Sequence, residues 1–138
     1  MRDFFQEQLK ELNRELVKMG ADCEEIIALA SDSLTGWNEE LAKNVSVIGA
    51  RIDEGYRTVE NICLKLLLRQ QPVAKDLRVI SAAMKMITDM ERIGDQAEDI
   101  VDLVPQMERR ADEKYPKIRE MAKAAQQMVT EAVDAYVR

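Results

Sequence analysis

The residues of this chain best suited to chemistry are carboxylates spaced at helical intervals. Glu91, Asp95, Glu98 and Asp102 recur every four, three and four residues, which places them along one face of a helix. Such carboxylates repel each other unless cations lie between them, and Arg92 beside them offers a single compensating charge. Hard cations such as Mg²⁺, Ca²⁺, Mn²⁺ or ferric iron take ligand sets made of oxygen atoms. The spacing leaves two interpretations open, a cation-binding stripe or a solvated helix face. The row of carboxylates is predicted to lie roughly opposite the apolar face of its helix.

The preceding helix carries two more acids on one column, Asp53 and Glu60. Counting outward from the turn at Pro72 puts Asp53 near the level of Glu91. The two helices are therefore predicted to share a cation, with ordinary surface acids as the alternative. Asp76 and Arg78 lie in the first turns of the next helix. An acid at that position is stabilised by the positive end of the helix dipole, so an ordinary start-of-helix acid with a neighbouring arginine accounts for the pair.

The absence of histidine narrows the chemistry that this chain can perform. It excludes Ser-His-Asp and Cys-His catalysis, zinc sites built on histidine, and the Glu-x-x-His pairs of di-iron bundles. The sequence also has no glycine-rich phosphate loop and no dinucleotide fingerprint. We therefore expect a binding protein and not an enzyme.

Length and composition predict a single all-α domain. Of 138 residues 46% are hydrophobic and 33% charged, whereas aromatic residues reach only 4%. The net charge of −6 disfavours nucleic acid as a partner. No apolar run is long enough to span a membrane and no signal-peptide core is found at the start, so we expect a cytoplasmic protein without membrane insertion. Cys23 and Cys63 are predicted to lie about 25 Å apart, too far for a disulfide, and to be reduced and buried.

Three long stretches repeat apolar residues at alternating intervals of four and three, the pattern of helices packed at shallow angles. We call each such row of apolar residues along one face of a helix a seam. Short turns between these stretches predict an antiparallel three-helix bundle, and turn signals every 30 to 35 residues argue against a two-stranded coiled coil. The predicted seams are Phe5, Leu9, Leu12, Leu16, Met19, Cys23, Ile26 and Ala30; then Leu41, Val45, Ile48, Ile52, Gly55, Val59, Ile62 and Leu66; then Val79, Ala83, Met86, Met90, Ile93, Ala97, Ile100 and Val104.

Breaker residues divide the chain into a bundle over 1–104, a polar linker over 105–115 and a fourth helix over 116–138. The first helix is expected to end in the polar stretch 31–36, and the next two at Pro72 and Pro105. Gly55 in the second seam predicts a close approach by a bulky side chain. Residues predicted to be buried together are Leu16, Met19, Ile52, Val59, Met86, Met90 and Ile93.

The fourth helix is apolar along one face, which carries Ile118, Met121, Ala122, Ala125, Met128, Val129, Ala132 and Tyr136. A lone amphipathic helix of this length is marginal in water. Because each seam of the three-helix bundle is expected to be occupied, we predict packing against a second copy in a homodimer. The alternatives are that the helix folds back on its own bundle or frays.

Two motifs resemble the PhoU family, whose members are accessory and negative-regulatory proteins of bacterial phosphate-specific transport. The first is CLKLLLRQQPVAKDLR over 63–78, and the second is KMITDMERIGDQA over 85–97. The opening pattern from Phe5 and Leu9 to Met19-Gly20 is also similar. The resemblance covers residues 1 to 104, and an ERIGD signature after an RQP and DLR turn is specific.

The resemblance implies two tandem three-helix bundles, so this chain would be the first repeat plus one helix of an incomplete second. It also implies a role in which the protein restrains phosphate uptake and signalling by contacting the transporter's ATPase subunit and a sensor histidine kinase. Some members bind iron or other metal clusters through E(D)-x-x-x-D motifs, which Glu91-x-x-x-Asp95 matches, whereas Gly49 replaces the acid expected four residues before Asp53.

These considerations predict a site for iron, Mg²⁺ or Mn²⁺ formed by Asp53, Glu91 and Asp95. Further candidate ligands are Glu60, Glu98 and Asp99. Two other functions remain open at this point. One is a metal-handling or metal-dependent hydrolytic protein that uses the carboxylates, and the other is a helical adaptor without metal.

Overall fold

The chain folds into four helices in a computed structural model that describes residues 2–69, 73–107 and 114–138. Helix α1 spans Arg2–Gly36, α2 spans Glu39–Arg69, α3 spans Ala74–Leu103 and α4 spans Pro116–Val137. A short 3-10 turn at Val104–Gln106 follows α3. The described residues contain no strand, and the predicted all-α bundle is confirmed. None of these helices combines the length and the apolarity that a membrane span requires.

The predicted seams of α1 and α2 are confirmed as the core of the bundle. Every predicted seam residue on these two helices is buried except Leu9 and Leu41, which are partly buried. Gly55 lies against Met19 as predicted, because a Cβ atom at Gly55 would stand 2.6 Å from Met19 Cγ. The two cysteines are buried and unpaired, as expected.

The predicted seam of α3 is wrong by one residue at every second position. Its buried residues are Ile80, Ala83, Ile87, Met90, Gly94, Ala97 and Val101, followed by Val104 in the 3-10 turn. Ile93 and Met86 are only partly buried, so two members of the predicted central core lie at its margin. The error arises because α3 has two apolar stripes side by side. The stripe through 79, 86, 93 and 100 does not face α1 and α2, and most of it faces the groove beside α4.

The first turn also differs from the prediction, because α1 continues through the polar stretch to Gly36. Ser33 is fully buried, and its hydroxyl donates a hydrogen bond to the Ala30 carbonyl, which satisfies it inside the last turns. The connection shrinks to Trp37 and Asn38, whose side-chain oxygen accepts a hydrogen bond from the Leu41 N–H at 2.8 Å. The indole Nε1 of Trp37 donates to the Val101 carbonyl at 3.1 Å and ties this turn to α3.

The other boundaries agree with the sequence where the structure describes them. Helix α2 ends at Arg69 and α3 begins at Ala74, with Asp76 in its first turn, whereas Pro72 lies outside the described residues. Most of the predicted linker, 108–113, also lies outside them, and α4 starts at Pro116 after Tyr115 in a left-handed conformation with φ 47°.

Helix α4 packs antiparallel on α1 of its own chain, so the prediction that no seam was left for it is wrong. Val133 lies so close to Gly20 that a Cβ atom there would stand 2.9 Å from Val133 Cγ2. The Gln126 side-chain amide donates to the Glu24 carbonyl at 2.8 Å, and the Tyr136 hydroxyl donates to the Val79 carbonyl at 3.0 Å. Glycine at position 20 is what allows the second face of α1 to receive a helix.

An apolar groove of about 610 Å³ remains open between α1, α3 and α4. Its walls include Met86, Ile93 and Ile100 on α3 and the α4 methionines. Met121 and Met128 are 68% and 70% exposed, because α4 turns only Val129 and Val133 fully inward. Half of the predicted apolar face of α4, namely Ile118, Met121, Met128 and Ala132, is therefore exposed.

Candidate metal centre

The carboxylates predicted to share a cation lie together between α2 and α3. One carboxylate oxygen from each of Asp53, Glu91 and Asp95 falls within a cluster whose atoms are all within 4.8 Å of one another. The i and i+4 spacing brings Glu91 and Asp95 to the same side of α3, and the antiparallel register puts Asp53 opposite them. Whether a cation binds there stays a prediction, but the three side chains do converge.

A glycine beside the cluster allows the two helices to approach. Gly94 faces Ile52, with only 3.3 Å between the Cδ1 of Ile52 and the position that a Cβ at Gly94 would occupy. The ligand candidates Asp53 and Asp95 directly follow this pair in the sequence. This close contact between α2 and α3 thus positions the carboxylates on its flank.

The cluster concentrates negative charge without a compensating base. Burial raises the pKa of Glu91 to about 7, helped by hydrogen bonding to Asp53 and by repulsion from Asp53, Asp95 and Glu98. None of the ion pairs among the described residues includes these acids, and Arg92 is exposed and forms no such pair. A proton or a cation is needed to relieve the repulsion.

One carboxylate oxygen of the cluster bears on whether a cation would fit there. Glu91 Oε2 is buried and has no hydrogen-bond partner among the described residues. A buried carboxylate oxygen without a partner costs free energy unless a proton or cation satisfies it. Together with an all-oxygen donor set, this atom shows that the residues present suit a hard cation.

Glu98, one of the further candidate ligands, lies beside the cluster of three. The Glu98 carboxyl group lies over Gly49, where its Cδ is 2.7 Å from the position of a Cβ at residue 49. Burial raises the pKa of Glu98, and so do the charges of Asp53 and Asp95. Gly49 therefore does more than remove an acid from α2, because it makes room for an acid from α3. The available signal was the antiparallel register, which sets residue 49 opposite residue 98.

The remaining candidates lie outside the group of three. Glu60 is two turns along α2, where its charge acts on the buried thiol of Cys63. Asp99 and Asp102 are exposed. The prediction that the acidic stripe lies opposite the core is wrong. The buried face of α3 runs through Gly94, one residue closer to the stripe than the predicted seam. Glu91 and Glu98 consequently border the interface with α2, and only the outer acids form a solvated face.

The fold and the cluster define a helical-bundle protein with a carboxylate site between two antiparallel helices. The family model described as the PhoU domain matches residues 16–104. The chain belongs to the PhoU family.

Relatives and a solved structure agree with this assignment. The chain is 33% identical to the phosphate-specific transport system accessory protein PhoU homolog of Synechocystis sp., over 96% of this chain and 59% of the relative. For the homolog from Clostridium acetobutylicum the identity is 33%, over 99% of this chain and 63% of the relative. The crystal structure of PhoU from Pseudomonas aeruginosa superposes with a TM-score of 0.84 at 32% identity, covering 97% of this chain and 65% of that one. The chain therefore spans about three fifths of these relatives.

Proposed function

We propose that this chain is a cytoplasmic negative regulator of phosphate uptake and phosphate-responsive signalling, which acts by binding and not by catalysis. The observation that carries the proposal is the family match over 16–104, since relatives at about a third identity are named accessory proteins of phosphate-specific transport. The fold supports a binding role, because the described residues offer acids and apolar surface but no histidine base or phosphate loop.

Its partners in this proposal are the ATPase subunit of the phosphate transporter and a sensor histidine kinase. The outer acids of α3 favour such docking, because Asp99 and Asp102 are both exposed on one helix. A concentrated negative surface accelerates encounter with a basic partner and makes the association sensitive to salt.

Reversing charges on this surface tests the proposal. The double variant Asp99→Lys, Asp102→Lys should weaken capture of the purified ATPase subunit roughly tenfold at low salt, because two attractive charges become repulsive. The control is Glu131→Lys, Asp134→Lys, which makes the same charge change on exposed positions of α4. Equal capture by wild type and both variants would remove the α3 surface from the interface, and no capture of either named partner by wild type would contradict the regulator proposal.

The carboxylate cluster gives this regulator a place for a hard cation. Asp53, Glu91 and Asp95 would hold iron, Mg²⁺ or Mn²⁺, and Glu98 is near enough to contribute charge. The cation would neutralise the repulsion between α2 and α3 and satisfy Glu91 Oε2. A hydrolytic use of the same metal would appear as turnover of phosphate esters, whereas a metal-free adaptor would show no heat on titration.

A homodimer through the uncovered side of α4 is the assembly that the groove favours. Met121 and Met128 expose adaptable apolar surface, and burying it against a second copy would be favourable.

Introducing charge into that surface tests the dimer. Met121→Glu, Met128→Glu should convert a dimer into a monomer, with at least about a tenfold loss of affinity, because buried carboxylates without partners are costly. Val17→Glu, Val47→Glu adds the same charge at exposed valines on α1 and α2 and should leave the mass unchanged. Light scattering that reports a monomeric wild type, or a dimer in both variants, would contradict this assembly.

A further inference from the structure

The end of the bundle where α2 meets α3 carries an apolar surface that no described helix covers. We call residues 64–68 and 73–78 the hairpin tip. Leu68 is 84% exposed and Val73 63% exposed, and Leu64, Leu67 and Leu77 are also exposed. The core beneath is complete without them, because Ile62, Cys63 and Leu66 fill the inward face of α2. These five side chains are therefore free to meet something outside the bundle.

The charge at this end is opposite to that of the rest of the molecule. Within the hairpin tip, Lys65, Lys75 and Arg78 outnumber the single acid Asp76, in a chain with a net charge of −6. Lys65, Lys75 and Arg78 are exposed. The first turns of α1, which start at the same end, carry Arg2, Asp3, Glu7 and Lys10, whose charges cancel. The hairpin tip thus remains a basic and apolar surface on an acidic protein.

We propose that the hairpin tip binds the surface of an anionic lipid membrane. Exposed aliphatic side chains accompanied by exposed lysine and arginine match a membrane interface, where the apolar groups enter the headgroup boundary and the bases meet lipid phosphates. This contact is peripheral and spans nothing. It is independent of the proposed partners and of the cation.

The composition of the hairpin tip favours a lipid surface over a protein partner. Leucine and valine are under-represented among binding hot spots, where tryptophan, tyrosine and arginine dominate, and lysine is depleted at protein interfaces. The tip is also the end of a helical hairpin and contributes no residue to the groove found among the described residues. A membrane needs no concave seat, whereas a docked helix does.

Sedimentation of the full chain with vesicles tests this inference. We expect binding to vesicles of equal parts phosphatidylglycerol and phosphatidylcholine at low salt, and little binding to phosphatidylcholine alone. Lys75→Glu, Arg78→Glu should weaken binding roughly tenfold or more, since each base near an anionic surface contributes favourably. Leu68→Ser should weaken it severalfold by removing the most exposed aliphatic side chain.

Matched controls separate the hairpin tip from overall charge and apolarity. Lys117→Glu, Lys123→Glu makes the same charge change at exposed positions of α4, and Val47→Ser removes an exposed aliphatic side chain elsewhere on α2. Both controls should bind as wild type does, and circular dichroism should show all variants equally helical. Equal binding to neutral vesicles, equal losses in the controls, or no binding to anionic vesicles would overturn the inference.

Discussion

Replacing Ile52 with alanine should lower the free energy of unfolding by about 2 to 5 kcal/mol, the range for emptying a fully packed core position. Ile52 has no exposed surface and lies against Gly94 at the centre of the contact between α2 and α3. Because Gly94 has no side chain to move into the space, the cavity cannot close easily. Urea unfolding followed by circular dichroism measures the loss.

Ile93→Ala is the matched control for this prediction, since it removes the same atoms from α3. Ile93 is only partly buried and lines the open groove, so the loss should be about 1 kcal/mol. Equal losses at the two positions would mean that the stripe through Ile93 packs inside the bundle, and the α3 seam described above would be wrong.

Removing the carboxylates of α3 should strongly weaken cation binding. The variant Glu91→Gln, Asp95→Asn keeps the shape of both side chains but removes two of three charged ligands, so affinity should fall by at least about a hundredfold. Calorimetric titration with Mg²⁺, Mn²⁺ and Fe³⁺ measures it. Glu60→Gln, Asp99→Asn is the control, because it makes the same charge change outside the cluster. Identical heats from wild type and the cluster variant would show that the carboxylates are only a solvated face.

The same titration has a predicted pH dependence. Glu91 must lose its proton to bind a cation, and its pKa is raised to about 7 chiefly by burial. Affinity should therefore fall as the pH drops below about 7, by about tenfold per pH unit for one competing proton, and level off above it. Any cation binding that survives in Glu91→Gln should have lost this slope near neutral pH.

The sequence was sufficient to predict a seam wherever a helix had a single apolar stripe. The rows of α1 and α2 that face the rest of the bundle follow the predicted intervals, although α1 has a second face that receives α4. Helix α3 presents two adjacent stripes that share Ala83, Met90 and Ala97, and periodicity alone cannot decide between the partners on either side. Gly94 belongs to the core because it has no side chain and so lets Ile52 approach α3. A search for apolar side chains overlooks such a position.

The part of the candidate site that depends only on the register between α2 and α3 could be predicted from the sequence. Counting from a short turn placed Asp53 beside Glu91 because antiparallel helices keep a fixed register. The relation between Gly49 and Glu98 was not found, since it requires following one side chain into the space left by another helix. The packing of α4 on α1 could not be predicted either, because the small size of Gly20 matters only once Val133 is placed against it.

Trp37 gives this bundle an intrinsic optical reporter. It is the single tryptophan of the chain, and its indole N–H is bonded to the Val101 carbonyl at the end of α3. A separation of α3 from the turn between α1 and α2 would break that bond and bring water to the ring, which shifts its fluorescence to longer wavelength. The emission of one native residue therefore follows the closure of the bundle without any attached dye.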